Sequence, residues 1–221
     1  MCGRFTFLID EDELMRLYGL EYVPELEQSY NTAPSQQITA IVHDGEKNRA
    51  GKLRWGLVPS FAKDEKIGWK MINARSETVH EKPSFKKLFY KRRCIIPADS
   101  FYEWKREKNE KLPYRIRLSE EPVMSLAGLW DRWEAPDGSI VQSCTILTTE
   151  ANSLMADIHD RMPVILDEAA RSVWLDRSVQ DTEQLRGLFM PYPAEKMEAY
   201  RVPQIVNSPK HNGPECIEPA G

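Results

Sequence analysis

Residues 94–148 read CIIPADSFYEWKREKNEKLPYRIRLSEEPVMSLAGLWDRWEAPDGSIVQSCTILT, and this stretch decides the fold. Positions 94–96, 101–104, 114–118, 123–129 and 141–148 are short runs rich in β-branched, aromatic and other apolar residues. Turn chemistry separates them, most plainly Pro136-Asp137-Gly138. Short strands in close succession need only tight connections, which antiparallel neighbours accept, so the spacing predicts a curled antiparallel sheet.

Upstream, residues 38–43 and 53–58 flank Asp44-Gly45 and predict a hairpin with a longer polar connection. Asp10-Glu11-Asp12-Glu13 resembles a helix start; Leu14, Leu17 and Tyr18 follow at helical spacing, and Gly19 is the stop. A second helix is expected over 83–90, where Phe85, Leu88 and Phe89 share a face and Pro83 suits the first turn. Downstream, 151–158, 167–175 and 181–189 predict three helices, and 200–202 a final strand. The Pro-rich tail 203–219 is expected to lie extended over the surface, with Asn207-Ser208-Pro209 and Asn212-Gly213-Pro214 as turns, although a tail held in place could also contribute to a site. The class is α+β, in one domain spanning 1–221.

The 221 residues are 41% hydrophobic, enough for a sizeable core. No apolar run approaches the roughly 20 residues a bilayer span needs, and Met1-Cys2-Gly3-Arg4-Phe5 does not read as a signal peptide, so a cytoplasmic, monomeric protein is expected. Cys2, Cys94, Cys144 and Cys216 are dispersed with no C-x-x-C pair, which predicts free thiols and neither a zinc site nor any other metal or cofactor. A net charge of -4 excludes a broad basic face for duplex DNA. Any nucleic-acid site must therefore be local, with Arg4, Lys86-Lys87, Lys91-Arg92-Arg93 and Arg161 as candidate basic material.

Cys2 is the most informative residue. Its small side chain permits removal of Met1, which leaves an amine and a thiol on adjacent carbons. An α-amine has a reference pKa of about 7.7–8.0, so part of it is neutral and nucleophilic near neutral pH. It can attack an aldehyde to give a Schiff base, and the thiol can then close a five-membered thiazolidine. In Asn73-Ala74-Arg75-Ser76-Glu77 the amide suits a hydroxyl or carbonyl and the arginine suits a phosphate; taken alone, the segment reads as a helix N-cap with a surface arginine. Glu103, between Tyr102 and Trp104, is placed for a raised pKa and general acid or base work, or else it faces outward. His159, beside Asp160, can move protons near neutral pH, although a lone histidine is more often structural. Trp55, Phe61 and Trp69 offer faces for base stacking, with Arg4, Arg75 and Arg161 for phosphates.

Six blocks in order resemble the SOS response-associated peptidase, or SRAP, family. They are Met1-Cys2-Gly3-Arg4-Phe5, Tyr30-Asn31-Thr32-Ala33-Pro34, Trp55-Gly56-Leu57-Val58-Pro59, Ile72-Asn73-Ala74-Arg75-Ser76-Glu77, Phe101-Tyr102-Glu103-Trp104 and His159-Asp160-Arg161-Met162-Pro163. The resemblance covers essentially the whole chain. It implies a barrel-like β core flanked by helices, a positive groove for single-stranded DNA and covalent capture of abasic sites through Cys2, with AP lyase and autoproteolytic activity as further expectations. By the same resemblance, Asn73 would orient the opened sugar, Glu103 relay protons, and His159 assist Schiff-base formation and reversal. Arg4, Arg75 and Arg161 would hold phosphates, Asn31 and Pro34 shape the groove, Thr148 lie near the site, and Asn207 tie the tail to it. Where some relatives carry aromatic wedges after the Trp-Gly-x-x-Pro block, this chain has Ser60-Phe61-Ala62, so Phe61 stands there alone. A cysteine peptidase using Cys2, His159 and Glu103, and a non-catalytic single-stranded DNA-binding module, are the competing readings.

Overall fold

A computed structural model of the chain describes residues 2–108 and 110–220. Its strands are β1 (Phe5–Phe7), β2 (Ser29–Thr32), β3 (Gln37–His43), β4 (Asn48–Trp55), β5 (Asn73–Arg75), β6 (Arg93–Ala98), β7 (Ser100–Glu107), β8 (Glu110–Leu118), β9 (Met124–Glu134), β10 (Ile140–Glu150), β11 (Arg161–Pro163) and β12 (Met197–Arg201). The α-helices are α1 (Glu11–Tyr18), α2 (Pro83–Lys91), α3 (Ser153–Ala156), α4 (Glu168–Leu175) and α5 (Thr182–Arg186).

Strand β10 organises the molecule. Its first half pairs with β9 on one edge and β4 on the other, and β4–β3–β6–β9 completes a closed five-stranded barrel. Closure leaves these strands without an open edge. The second half of β10 runs past the barrel and is flanked by β5 and β11. A second, five-stranded sheet has the order β12-β8-β7-β1-β2 and is antiparallel throughout. One continuous apolar core joins barrel and sheet, with Phe5 of the sheet 5.2 Å from Trp55 of the barrel between ring centroids.

The barrel-like α+β architecture is as expected, but β10 departs from an all-antiparallel core because it pairs in parallel with both β4 and β5. Strand β4 begins earlier than expected and stops at Trp55, because Gly56 turns away at φ 126. The connection before it is short: Asp44 Oδ1 accepts from the backbone N–H groups of Glu46 and Lys47 and closes a tight turn. Helix α1 starts on Asp10, whose side chain accepts from Glu13 N–H, and ends at left-handed Gly19, as the sequence predicts. The helix expected over 151–158 shrinks to the single turn of α3.

Two basic or aromatic candidates turn out to be interior. Trp55 is fully buried, with its indole N–H on Ile72 O at 2.9 Å, so it offers no stacking face. Arg93 is buried and donates to the carbonyls of Phe89, Tyr90, Trp174 and Val179, tying the ends of α2 and α4 together. The tail is not extended over the surface. It folds through two short 3-10 turns, Gln204–Asn207 and Pro214–Cys216, and buries Val206 and Cys216 against Tyr102. No described helix is long and apolar enough to cross a membrane.

Candidate active site

The chain enters β1 from Cys2. Phe5 pairs with Phe101, and Tyr102 N–H donates to Arg4 O at 2.9 Å. Continuing that antiparallel register backwards brings residues 2–3 alongside Glu103 and Trp104 of β7. From the opposite side, β5 presents Asn73, whose Nδ2 donates to Cys2 O at 2.8 Å. Asn73 is therefore a strand residue and not a helix N-cap, although a 3-10 turn, Ser76–Thr78, follows directly. Its Oδ1 is buried and accepts no hydrogen bond among the described residues.

The electrostatics of this junction are unusual in two places. Cys2 is fully buried; burial pushes its thiol well above the ordinary cysteine value, and the charge of Glu103 adds to the effect. Glu103 is 2% exposed, and burial raises its carboxyl above the ordinary value while His159 pulls in the other direction. Met1, whose removal would free the Cys2 amine, lies outside the described residues.

Glu103 and His159 line one cleft of about 350 Å³ with Trp104, Arg106, Lys111 and Asn207. His159 Nδ1 lies 3.0 Å from Arg161 N–H and 2.9 Å from Asp160 Oδ1. These contacts are alternatives: a neutral ring accepts from Arg161, whereas an imidazolium donates to Asp160, so a proton on Nδ1 exchanges one partner for the other.

Across the protruding half of β10, Thr148 stands opposite Arg75 of β5 on one edge and Pro163 of β11 on the other. Thr148 is fully buried, and its carbonyl accepts from Arg161 Nη2 at 2.6 Å. Arg161 also makes a bidentate pair with Glu77, at 2.5 and 2.9 Å, which holds the Glu77 carboxyl below its usual value. Arg75 is exposed. Arg4 is held differently: its Nη1 donates at 2.7 Å to both Asn31 Oδ1 and Val206 O, and its guanidinium lies 5.8 Å from the centre of the Trp104 ring.

Asn31 is buried and sends its Nδ2 to tail carbonyls, while Asn207 accepts from the Trp104 indole at 2.6 Å. Pro34 is half-buried in the turn that follows, where Ser35 adopts φ 74 and donates its N–H to Trp55 O. Phe61 and Trp69 are 64% and 63% exposed on the loop between Trp55 and Asn73. That loop is pinned where Gly68 meets Gly56: a Cβ on Gly68 would sit 2.7 Å from Gly56 O.

Sequence reasoning gave no role to Glu77, Trp104 or Asn212. The first two stand inside blocks already singled out, so their position was visible and their partners were not. Asn212 carried only a turn signal.

The SOS response associated peptidase (SRAP) family matches residues 1–209 of the chain. The chain is 53% identical over 222 residues to the abasic site processing protein YoqW of Bacillus subtilis (strain 168), covering 99% of each. It is 32% identical over 271 residues to the abasic site processing protein HMCES of Mus musculus, covering 100% of this chain and 76% of that one. Among solved structures, a Bordetella bronchiseptica protein superposes with a TM-score of 0.78 at 29% identity, over 91% of this chain and 100% of that one. A Bacteroides thetaiotaomicron protein gives 0.76 at 33% identity, over 84% and 82%.

Proposed function

The chain belongs to the SOS response associated peptidase (SRAP) family, and from that premise we propose that it processes abasic sites in single-stranded DNA by bonding Cys2 to the sugar aldehyde. The observation that carries this reading is the meeting of Cys2 with Asn73 on one side and Glu103 on the other. With Met1 gone, the neutral fraction of the Cys2 amine adds to the aldehyde carbon of the ring-opened sugar. Glu103, which holds its proton more firmly than an ordinary carboxyl, gives that proton to the departing hydroxyl, one water leaves, and the carboxylate takes back the proton left on nitrogen. The thiol then adds to the same carbon of the resulting imine, its proton ending on nitrogen, to close the thiazolidine. Aldehyde and aminothiol thus yield one ring and one water.

The remaining groups have roles suited to their surroundings. Asn73 Oδ1 accepts from a sugar hydroxyl, and His159 moves protons during imine formation and reversal. Arg4, Arg75 and Arg161 take phosphates, and exposed Phe61 and Trp69 stack on bases. Because the imine acidifies the neighbouring sugar carbon, weak strand cleavage accompanies capture. All of these groups come from one chain, so a monomer suffices.

The thiol separates this reading from a cysteine peptidase. A peptidase needs a depressed thiol that supplies thiolate at once, whereas burial raises the Cys2 thiol above its ordinary value. Amine-first chemistry has no such requirement. The test is to incubate processed protein with single-stranded DNA bearing an abasic site or its reduced, aldehyde-free analogue. A denaturation-resistant product is expected only with the aldehyde and only with Cys2. Equal yield from both strands, or product from Cys2→Ala, would refute the proposal.

A further inference from the structure

The C-terminal tail reaches the site at Asn207 and, separately, at Arg4. Of the Arg4 donors, both Nη1 hydrogens are spent on neutral acceptors, Asn31 Oδ1 and Val206 O. No carboxylate pairs with Arg4 among the described residues, and its buried Nε has no hydrogen-bond partner there. The guanidinium is therefore fixed at one end and keeps its charge, and Nη2, which has no hydrogen-bond partner among the described residues, is the donor left to meet a phosphate.

What fixes Arg4 is in turn fixed from beyond residue 209, where the family match ends. Asn212 Oδ1 accepts three hydrogen bonds from β2: Ser29 Oγ at 3.0 Å, Tyr30 N at 2.7 Å and Asn31 N at 2.9 Å. Asn31 answers by donating Nδ2 to the carbonyls of Ser208 and His211 at 3.1 and 2.7 Å. Asn31 and Asn212 thus lock each other, and the lock sets both acceptors of Arg4 Nη1.

We propose that Asn212 is a positioning residue, acting through Asn31 and Val206 to hold the Arg4 guanidinium as a preset receptor for one DNA phosphate. This rests on the DNA reading above. A loose arginine would have to be ordered at the moment of binding, at a cost in side-chain entropy that the tail has already met.

The test measures salt-dependent binding of an undamaged single strand by full-length wild type, Asn212→Ala, Arg4→Ala and the double variant. Each phosphate contact contributes about 0.7 to the logarithmic salt slope on single strands. Asn212→Ala is expected to lower affinity several-fold and to lower the slope by about that amount. The double variant should bind no worse than Arg4→Ala alone. Additive losses, or an unchanged slope with only a lower melting temperature, would overturn the proposal by making Asn212 merely structural.

Should Asn212→Ala melt below the assay temperature, Arg4→Lys decides. Lysine keeps the charge without the two-ended fork, so binding and slope like Arg4→Ala support the lock, and wild-type binding overturns it. A wild type that binds the undamaged strand but forms no product with abasic DNA would instead sink the capture chemistry and leave the lock standing.

Discussion

On the barrel side of the cleft, Thr148 stands on β10 and Asn73 and Arg161 on the strands that flank it, and fully buried Trp55 holds Ile72, next to Asn73. On the sheet side, Cys2 and Arg4 precede the three-residue strand β1, and the polar side chains are held by contacts with segments 27 to 202 positions away in sequence. The barrel closes on itself, and β10, running past it, holds these residues on itself and on the two strands it pairs with. The open sheet has an edge at β2, and there the tail supplies the missing partners. Substitutions on the barrel side should therefore be felt in stability first and chemistry second, and those on the sheet side the other way round.

Trp55→Ala is the severest challenge to that division, because Trp55 touches both sides: its ring packs on Phe5 and its indole N–H holds Ile72, next to Asn73. A loss of about 3–5 kcal/mol in chemical denaturation is expected for a fully buried tryptophan, together with slower capture. Full capture by a folded but weakened variant would show that the sheet side stands without the barrel.

Glu103→Gln should do the reverse. Loss of the proton relay lowers the capture rate by roughly a hundredfold, while the protein gains stability. The carboxyl sits above its ordinary value when folded, so between the ordinary and raised values the native state binds more protons than the unfolded state. Stability then falls as pH rises through that window. The glutamine variant should melt above wild type near neutral pH, with the gap closing below the ordinary carboxylate range. A gap that persists in acid would remove the link to titration.

These asymmetries explain what the sequence could disclose. Strands such as β9 and β10 announce themselves by β-branched, aromatic and other apolar residues between turn signals, and α1 by Asp10 and Gly19, because those signals are local. The three-residue strands β1, β5 and β11 have no room for a period, and they exist because longer neighbours offer them an edge. The expected chemistry at Cys2, Asn73, Glu103 and His159 was read from short motifs, yet no spacing announced that Asn73 would hold the Cys2 carbonyl. Trp55 misled as a stacking face, since an indole beside glycine looks alike in a turn or a core until its neighbours are known. The tail misled for a related reason: Pro and Asn signal turns, and only tertiary contacts reveal that Asn212 turns onto β2.

Gly68→Ala probes the barrel-side loop that carries Phe61 and Trp69. The added methyl would meet backbone at Gly56, and neither side can swing away, so a cost of about 1–3 kcal/mol is expected. If the loop presents those aromatics to bases, strand affinity should fall as well. A destabilised variant with unchanged affinity would take Phe61 and Trp69 out of the binding site.

Glu77→Gln should have the smallest effect and be the most telling about the two arginines. Arg4 faces neutral acceptors and offers a phosphate its full charge, whereas Arg161 already has a carboxylate across its fork. A strand that uses Arg161 must first displace Glu77, whose side chain is 50% exposed, so the pair contributes at most about 1 kcal/mol. Removing that charge should tighten single-strand binding by roughly two- to fivefold and steepen the salt slope by up to about 0.7. The same substitution leaves Arg4 untouched, so the increment should survive in an Arg4→Ala background. If affinity does not rise, Arg161 serves to brace β11 against Thr148, and the phosphate contacts belong to the sheet side and Arg75.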